Sequence, residues 1–245
     1  IILIHGGPGA AGSMSSLANV LKADYGIIES IQTKTSIKDL INEIKLTINE
    51  CCNNLPVIII GHSWGAWLAF IYASIYPEDI TKLVIIGAAS FEEKYNINLM
   101  KKRLNRLTQQ ERSEIETFIK SLNIQNQKNI NFDRFNDLMI KADSYKIVPG
   151  NEKINFDIEI YNSIWKEAEV LRRSGELLSY GINIKCPVVA IHGLFDPHPS
   201  DGVEIPIKKI ISEFKIYKLN KCGHYPWKEK YALNEFFSIL NCELK

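Results

Sequence analysis

Long apolar runs are missing from this chain. No stretch of its 245 residues approaches the roughly 20 apolar positions that a membrane-spanning helix needs. A charge excess is missing too. Lys and Arg number 29 against 28 Asp and Glu, a net charge of +1, so nothing points to nucleic acid or an acidic membrane as a partner. Cysteine is sparse and unpatterned, with five residues, an odd number, and no C-x-x-C spacing. Cys51 and Cys52 are adjacent, which suits neither a zinc knuckle nor a structural disulfide. A reducing, cytoplasmic compartment is therefore expected. Internal repeats and low-complexity tracts are absent. So is an initiator methionine: the chain opens on Ile1-Ile2-Leu3-Ile4, which already reads as a buried strand, and a segment upstream is expected. What remains is 46% hydrophobic and 23% charged, an ordinary globular composition long enough for one large core.

Strand-like and helix-like stretches alternate along that core. Short apolar runs at 1–4, 57–61, 82–88, 187–191 and 214–219 read as buried strands, with a weaker one at 25–29. Between them, Ile37, Leu40, Ile41, Ile44 and Ile48 recur at helical spacing behind a Ser36/Asp39 cap, predicting a helix over 37–50. Further helices are expected over 13–23, 64–76 and 228–240. Residues 91–181 break the alternation: they are polar, rich in Asn, Lys and Glu, and helical, with no clear buried strand. The pattern predicts an α/β fold with a mostly parallel sheet and helices on both faces, a core of 1–90 and 182–245, and a helical lid inserted at 91–181.

The densest chemical signal is Val57-Ile58-Ile59-Ile60-Gly61-His62-Ser63-Trp64-Gly65. A strand running into a Gly-flanked serine and then a helix is the turn that exposes a nucleophilic hydroxyl. Such a serine needs a base, an acid to orient the base, and donors for an oxyanion. All five histidines fall after predicted strands, at the carboxyl edge where parallel sheets bind ligands. His62 adjoins Ser63, and neighbouring side chains at a sharp turn point apart. His5 precedes two glycines and is expected to tie down its loop, and His192 to pack beneath the site. His198 shares a tight Pro-flanked turn with the best acid. His224, freed by Gly223, is the expected base. Asp196 is the expected acid, giving the chain order Ser, acid, His. Asp201 and Glu204, farther along the same loop, are runners-up that read more simply as solvated loop charges. The oxyanion donors are expected to be the backbone N–H groups of Trp64 and Gly7, the latter in His5-Gly6-Gly7-Pro8-Gly9, where Pro8 is a candidate for a cis bond. That stretch lacks the endings of a P-loop or a dinucleotide loop. Cys222, near His224, reads as a small apolar residue rather than a nucleophile. No cofactor and no metal is expected.

With these motifs in order, the chain resembles the α/β-hydrolase superfamily over nearly its whole length except the lid. The motifs are His5-Gly6-Gly7-Pro8-Gly9, Gly61-His62-Ser63-Trp64-Gly65, Gly193-Leu194-Phe195-Asp196 and Gly223-His224. The resemblance implies Ser63 as nucleophile, Asp196 as acid, His224 as base, and Gly7 and Trp64 as oxyanion donors. The usual two first strands of that fold are not in the sequence, which would leave the 25–29 strand at a sheet edge. The first and second motifs are also similar to proline iminopeptidases. That group, however, has Asp-x-Arg-Gly-x-Gly where this chain reads Glu29-Ser30-Ile31-Gln32-Thr33, and Gly-Gly-Ser where it reads Gly61-His62-Ser63. An aminopeptidase would also need acidic groups for the substrate ammonium, for which Glu167 and Glu169 are the candidates.

The expectation is a serine hydrolase acting on a small-molecule ester, with an aminopeptidase as the alternative. A binding protein with a vestigial triad, or a C–C hydrolase or lyase, keeps the fold and changes the role. Dehalogenase and epoxide-hydrolase relatives need Asp at position 63. His62 and Trp165 are the candidate substrate contacts. Trp165, Tyr161 and Phe156 would line an acyl pocket or form the lid's own core.

Overall fold

The computed structural model describes residues 1–122, 132–148 and 152–245. From the start of the chain, β1 (Ile2–Ile4) and β2 (Ala10–Ala11) lead to α1 (Ser15–Leu21), β3 (Ile28–Ser30), α2 (Ile37–Cys51), β4 (Val57–His62), α3 (Trp64–Ile75) and β5 (Ile80–Ile86). A helical segment follows: α4 (Leu99–Asn105), α5 (Gln109–Leu122), α6 (Phe132–Asp143), then β6 (Asn155–Phe156), α7 (Ile158–Ser174) and α8 (Glu176–Ser179). The chain then returns to β7 (Val188–Gly193), α9 (Asp201–Lys208), β8 (Phe214–Leu219) and α10 (Leu233–Glu243). No helix among the described residues is long and apolar enough to cross a membrane.

Six strands form one parallel sheet in the order β3-β1-β4-β5-β7-β8. Their apolar runs are continuous because both faces are covered. Along each strand, alternate residues enter opposite cores. Ile2, Ile4, Ile59, Leu83, Ile85 and Val188 pack toward α2, α3 and α7, while Leu3, Ile60, Val84, Ile86 and Val189 pack toward α1 and α10. α3 is buried on every side from Trp64 to Ser74, as an apolar helix held between the sheet and α7 must be. α2 begins where the Ser36 side chain accepts from the Asp39 N–H. The chain steps outward from β1 to the edge strand β3, then back past β1 to β4. The order therefore reverses between β1 and β4, and in such sheets the carboxyl ends at the reversal are where ligand crevices form.

Three local expectations are corrected. No described peptide bond is cis, so Pro8 follows a trans bond. The turn needs no other geometry: Ala10 N–H donates to Gly7 O at 2.8 Å, with Pro8 at the second position and Gly9, at φ +76°, at the third. The stretch around Asp201 and Glu204 is a helix despite its internal Pro206. The carbonyl of Gly202, left without a partner by that proline, accepts from Phe91 N–H at 2.9 Å instead. The last helix starts at Leu233 rather than 228, because Glu229 is held in a loop by three backbone donors described below. The polar segment also contains a strand that its composition hides: β6 pairs antiparallel with β2.

Candidate active site

β4 delivers Ser63 at φ 54° and ψ −118°, a left-handed backbone rare for a residue with a side chain. The strain is fixed by its surroundings. Ser63 N–H donates to Ile86 O on the next strand at 3.0 Å, and its carbonyl accepts from Ala66 N–H. Both flanking glycines are required by close approach. A Cβ on Gly61 would lie 2.3 Å from Gly65 O, and one on Gly65 would lie 2.2 Å from Ile4 O. The loop after β1 comes within contact of the serine: a Cβ on Gly6 would sit 3.0 Å from Ser63 Cβ. Gly7 in that loop has φ +46°, and Trp64 is the first residue of α3.

The loops after β7 and β8 meet. His224 Nδ1–H donates to Asp196 Oδ2 at 2.7 Å, with both groups buried. The other carboxylate oxygen accepts from His198 N–H at 2.9 Å. Burial alone would push His224 below its ordinary value, but the Asp196 carboxylate outweighs it and holds the imidazole above that value. Burial would likewise raise Asp196, and His224 instead keeps it well below the usual carboxylate range. The other four histidines are all lowered by burial, His5 to about 4.

Their geometry separates their roles. His192 Nε2 donates to His198 O at 2.8 Å, beneath the acid loop. His5 Nδ1 bonds Gly6 O at 3.0 Å within its own loop. His62 is 2% exposed, and its Nε2 donates to His224 O at 2.9 Å. Its ring packs on Tyr225 and Trp227. It therefore supports the backbone of His224, against the expectation that it contacts substrate. Trp165 is half-buried and packs against Trp64 and Trp67 at ring distances of 6.1 and 5.9 Å, so it is an aromatic of the helical segment that reaches the elbow. Asp201 pairs with Lys218 and Glu204 with Lys208 and Lys218, well away from His224's partners. Glu167 accepts from Ile37 N–H at the start of α2, and Glu169 lies on the exposed surface of α7, 3.4 Å from Arg173. Burial pushes the Cys222 thiol far up, which suits a packed and unreactive side chain. Asp196, His198 and His224 are also the one grouping with metal-compatible spacing among the described residues. A guanidinium, Arg103 Nη2, stands 3.5 Å from His198 Nε2 and opposes a cation there.

Sequence reasoning missed four residues around this cluster. Gln32 is buried and links the two loops of the crevice. Its amide donates to His5 O at 2.9 Å, and its oxygen accepts from Trp64 Nε1 at 3.0 Å. Glu229 is fully buried, accepting from Tyr145, Lys146 and Gly223 N–H groups at 2.7 to 2.8 Å. Arg103 and Asp143 form a buried ion pair beside His198. No spacing signal marks any of the four.

A family model described as the α/β-hydrolase fold matches residues 1–231. The chain belongs to the α/β-hydrolase family. Solved structures share the fold of this α/β-hydrolase at low identity. VinJ aligns with a TM-score of 0.69 at 15% identity, over 99% of this chain and 89% of its own. A structure described for carboxylesterases of the thaumarchaeon Nitrososphaera gargenis aligns at 0.62 and 20%, over 99% and 88%. An epoxide hydrolase from Bacillus megaterium aligns at 0.63 and 16%, over 98% and 92%. No curated protein matches the sequence.

Proposed function

We propose that this α/β-hydrolase is a cofactor-free serine hydrolase cleaving a small-molecule carboxylic ester. One observation carries the reading: Ser63 sits on a strained elbow at the carboxyl edge where His224 and Asp196 are paired at 2.7 Å. His224 Nε2 accepts the hydroxyl proton as Ser63 Oγ attacks the ester carbonyl. Asp196 fixes the ring with Nδ1 protonated and stabilises the imidazolium. The N–H groups of Gly7 and Trp64 receive the oxyanion, the latter at the positive end of α3. His224 then protonates the leaving alkoxide. Water, activated by the same base, releases the acid from the acyl-enzyme.

Residues 91–181 act as the lid of this site, with Trp165 at its wall. The carboxylesterase structure among the similar folds supports ester chemistry by analogy. The aminopeptidase reading has less support, since Glu167 is engaged at the start of α2 and Glu169 lies on an exposed helix surface. Epoxide opening of the Asp-nucleophile type is disfavoured by the serine at position 63. The five cysteines are all unpaired, which suits a reducing compartment.

Ser63→Ala is expected to abolish turnover of short p-nitrophenyl esters and labelling by a fluorophosphonate while leaving the circular dichroism spectrum unchanged. Turnover that survives the substitution overturns the assignment.

A further inference from the structure

Beyond Asp196, two further charges that act on the expected base come from the helical segment. Arg103, on α4, donates from Nε and Nη2 to the two carboxylate oxygens of Asp143, each at 2.6 Å. The two side chains are 14% and 4% exposed. A buried pair is costly to assemble, and removing one partner strands the other charge. Its location gives that cost a use. Asp143 is the last residue of α6, so its carbonyl has no partner inside the helix. His224 N–H donates to it at 2.9 Å. Gly223 lies so close that a Cβ there would be 2.1 Å from the same oxygen.

The acid loop is gripped from the same side. Arg103 Nη2 lies 3.5 Å from His198 Nε2. Arg106, three residues along, donates to Ala142 O at 2.8 Å and to Phe195 O at 2.7 Å, and its guanidinium stacks 3.8 Å over the Phe195 ring. The loops carrying Asp196 and His224 are thus both anchored to α4 and α6.

We propose that Arg103 and Asp143 are a positioning pair that seats the lid helices on these two loops and so sets the orientation of His224. Its catalytic meaning rests on the serine-hydrolase reading, and neither residue touches the reacting atoms. The titratable and charged groups around His224 are Asp196 and His198 from the acid loop, His192 at the end of β7, His62 from the elbow, Tyr225, Lys228 and Glu229 from its own loop, Arg106 against the acid loop, and this pair. Asp143 favours the imidazolium and Arg103 opposes it. Removing each charge alone therefore drives His224 in opposite directions. The split reports that both charges act on the His224 ring, and the orienting role is read from kcat at constant KM.

The test compares wild type, Arg103→Gln and Asp143→Asn. The His224 ring is followed by NMR through a pH titration, with its resonance assigned by loss in His224→Gln, and p-nitrophenyl acetate turnover is measured alongside. His224 is expected to titrate higher in Arg103→Gln and lower in Asp143→Asn. In both, kcat falls at least about tenfold while KM stays within about twofold. Arg103→Lys keeps the charge but not the two-pronged contact and recovers kcat in part. Shifts in the same direction or none, or a kcat unchanged in both variants, overturn the proposal. Should Arg103→Gln not fold, the Asp143→Asn shift decides alone. A wild type that neither hydrolyses esters nor accepts a fluorophosphonate removes the serine-hydrolase reading, while the titrations still decide the pair.

Discussion

At the scale of single residues, the fold tolerates nothing at some positions and almost anything at others. Gly65 and Gly26 are the extremes. A methyl on Gly65 would be driven into the backbone of β1, 2.2 Å from Ile4 O, whereas one on Gly26 would meet nothing within 4 Å. Gly65→Ala is expected to cost about 3 kcal/mol or more. Gly26→Ala, at a position without a positive φ, is expected to gain about 0.5 kcal/mol by restricting the unfolded chain. Urea unfolding of the two variants checks both, and equal midpoints would contradict the account. Gly65 was legible in the sequence because its reason is local, a strand meeting a helix through one turn. Gln32 was not, because its two partners come from opposite sides of the crevice and its own neighbours carry no pattern.

Elements tell the same story at longer range. The strands could be read because a stretch such as Val57–Ile60 is apolar on both faces, and α2 because Ser36 caps it and isoleucines repeat along one side. α9 could not, since it carries Pro206 inside it and the hydrogen bond that compensates the proline comes from Phe91 in another loop. The helical segment hid its contacts for a related reason. Among many Lys, Arg, Asp and Glu, a buried pair such as Arg103 and Asp143, separated by 40 positions, looks like all the others. Glu229 is the clearest tie between that segment and the core. Truncating it would leave the N–H groups of Tyr145, Lys146 and Gly223 without their acceptor. Glu229→Ala is expected to lower stability by about 2–4 kcal/mol. Hydrogen exchange should quicken first at 145, 146 and 223, and uniform quickening across the sheet would argue against a local tie.

For the whole molecule, histidine burial sets the response to acid. His5, His62, His192 and His198 are held neutral by burial in the folded chain, so the unfolded chain takes up protons first as pH falls below about 6.5. Each then costs stability as pH falls further. His224 works the other way: it is raised by Asp196, and its contribution is present below its unfolded value and lost as pH rises through the folded one. Four against one predicts that the urea midpoint falls steadily between pH 7 and pH 5. The depressed Asp196 matters only below the ordinary carboxylate range, where its contribution is lost in turn. A flat midpoint across pH 7 to 5 would mean that these histidines protonate in place.

The two-residue ladder between β2 and β6 bears on how such a molecule diversifies. Asp157 N–H also donates to Gly9 O, so the turn that shapes the proposed oxyanion loop is stitched to the helical segment through main-chain groups alone. Main-chain bonds do not depend on which side chains are present. Substitutions can therefore accumulate on both sides without loosening the seam, and the pocket wall can change its chemistry while its distance from the serine stays the same. Replacing 91–181 wholesale is another matter: a recombinant segment must bring a matching strand of its own, or carry residues 9–12 across with it.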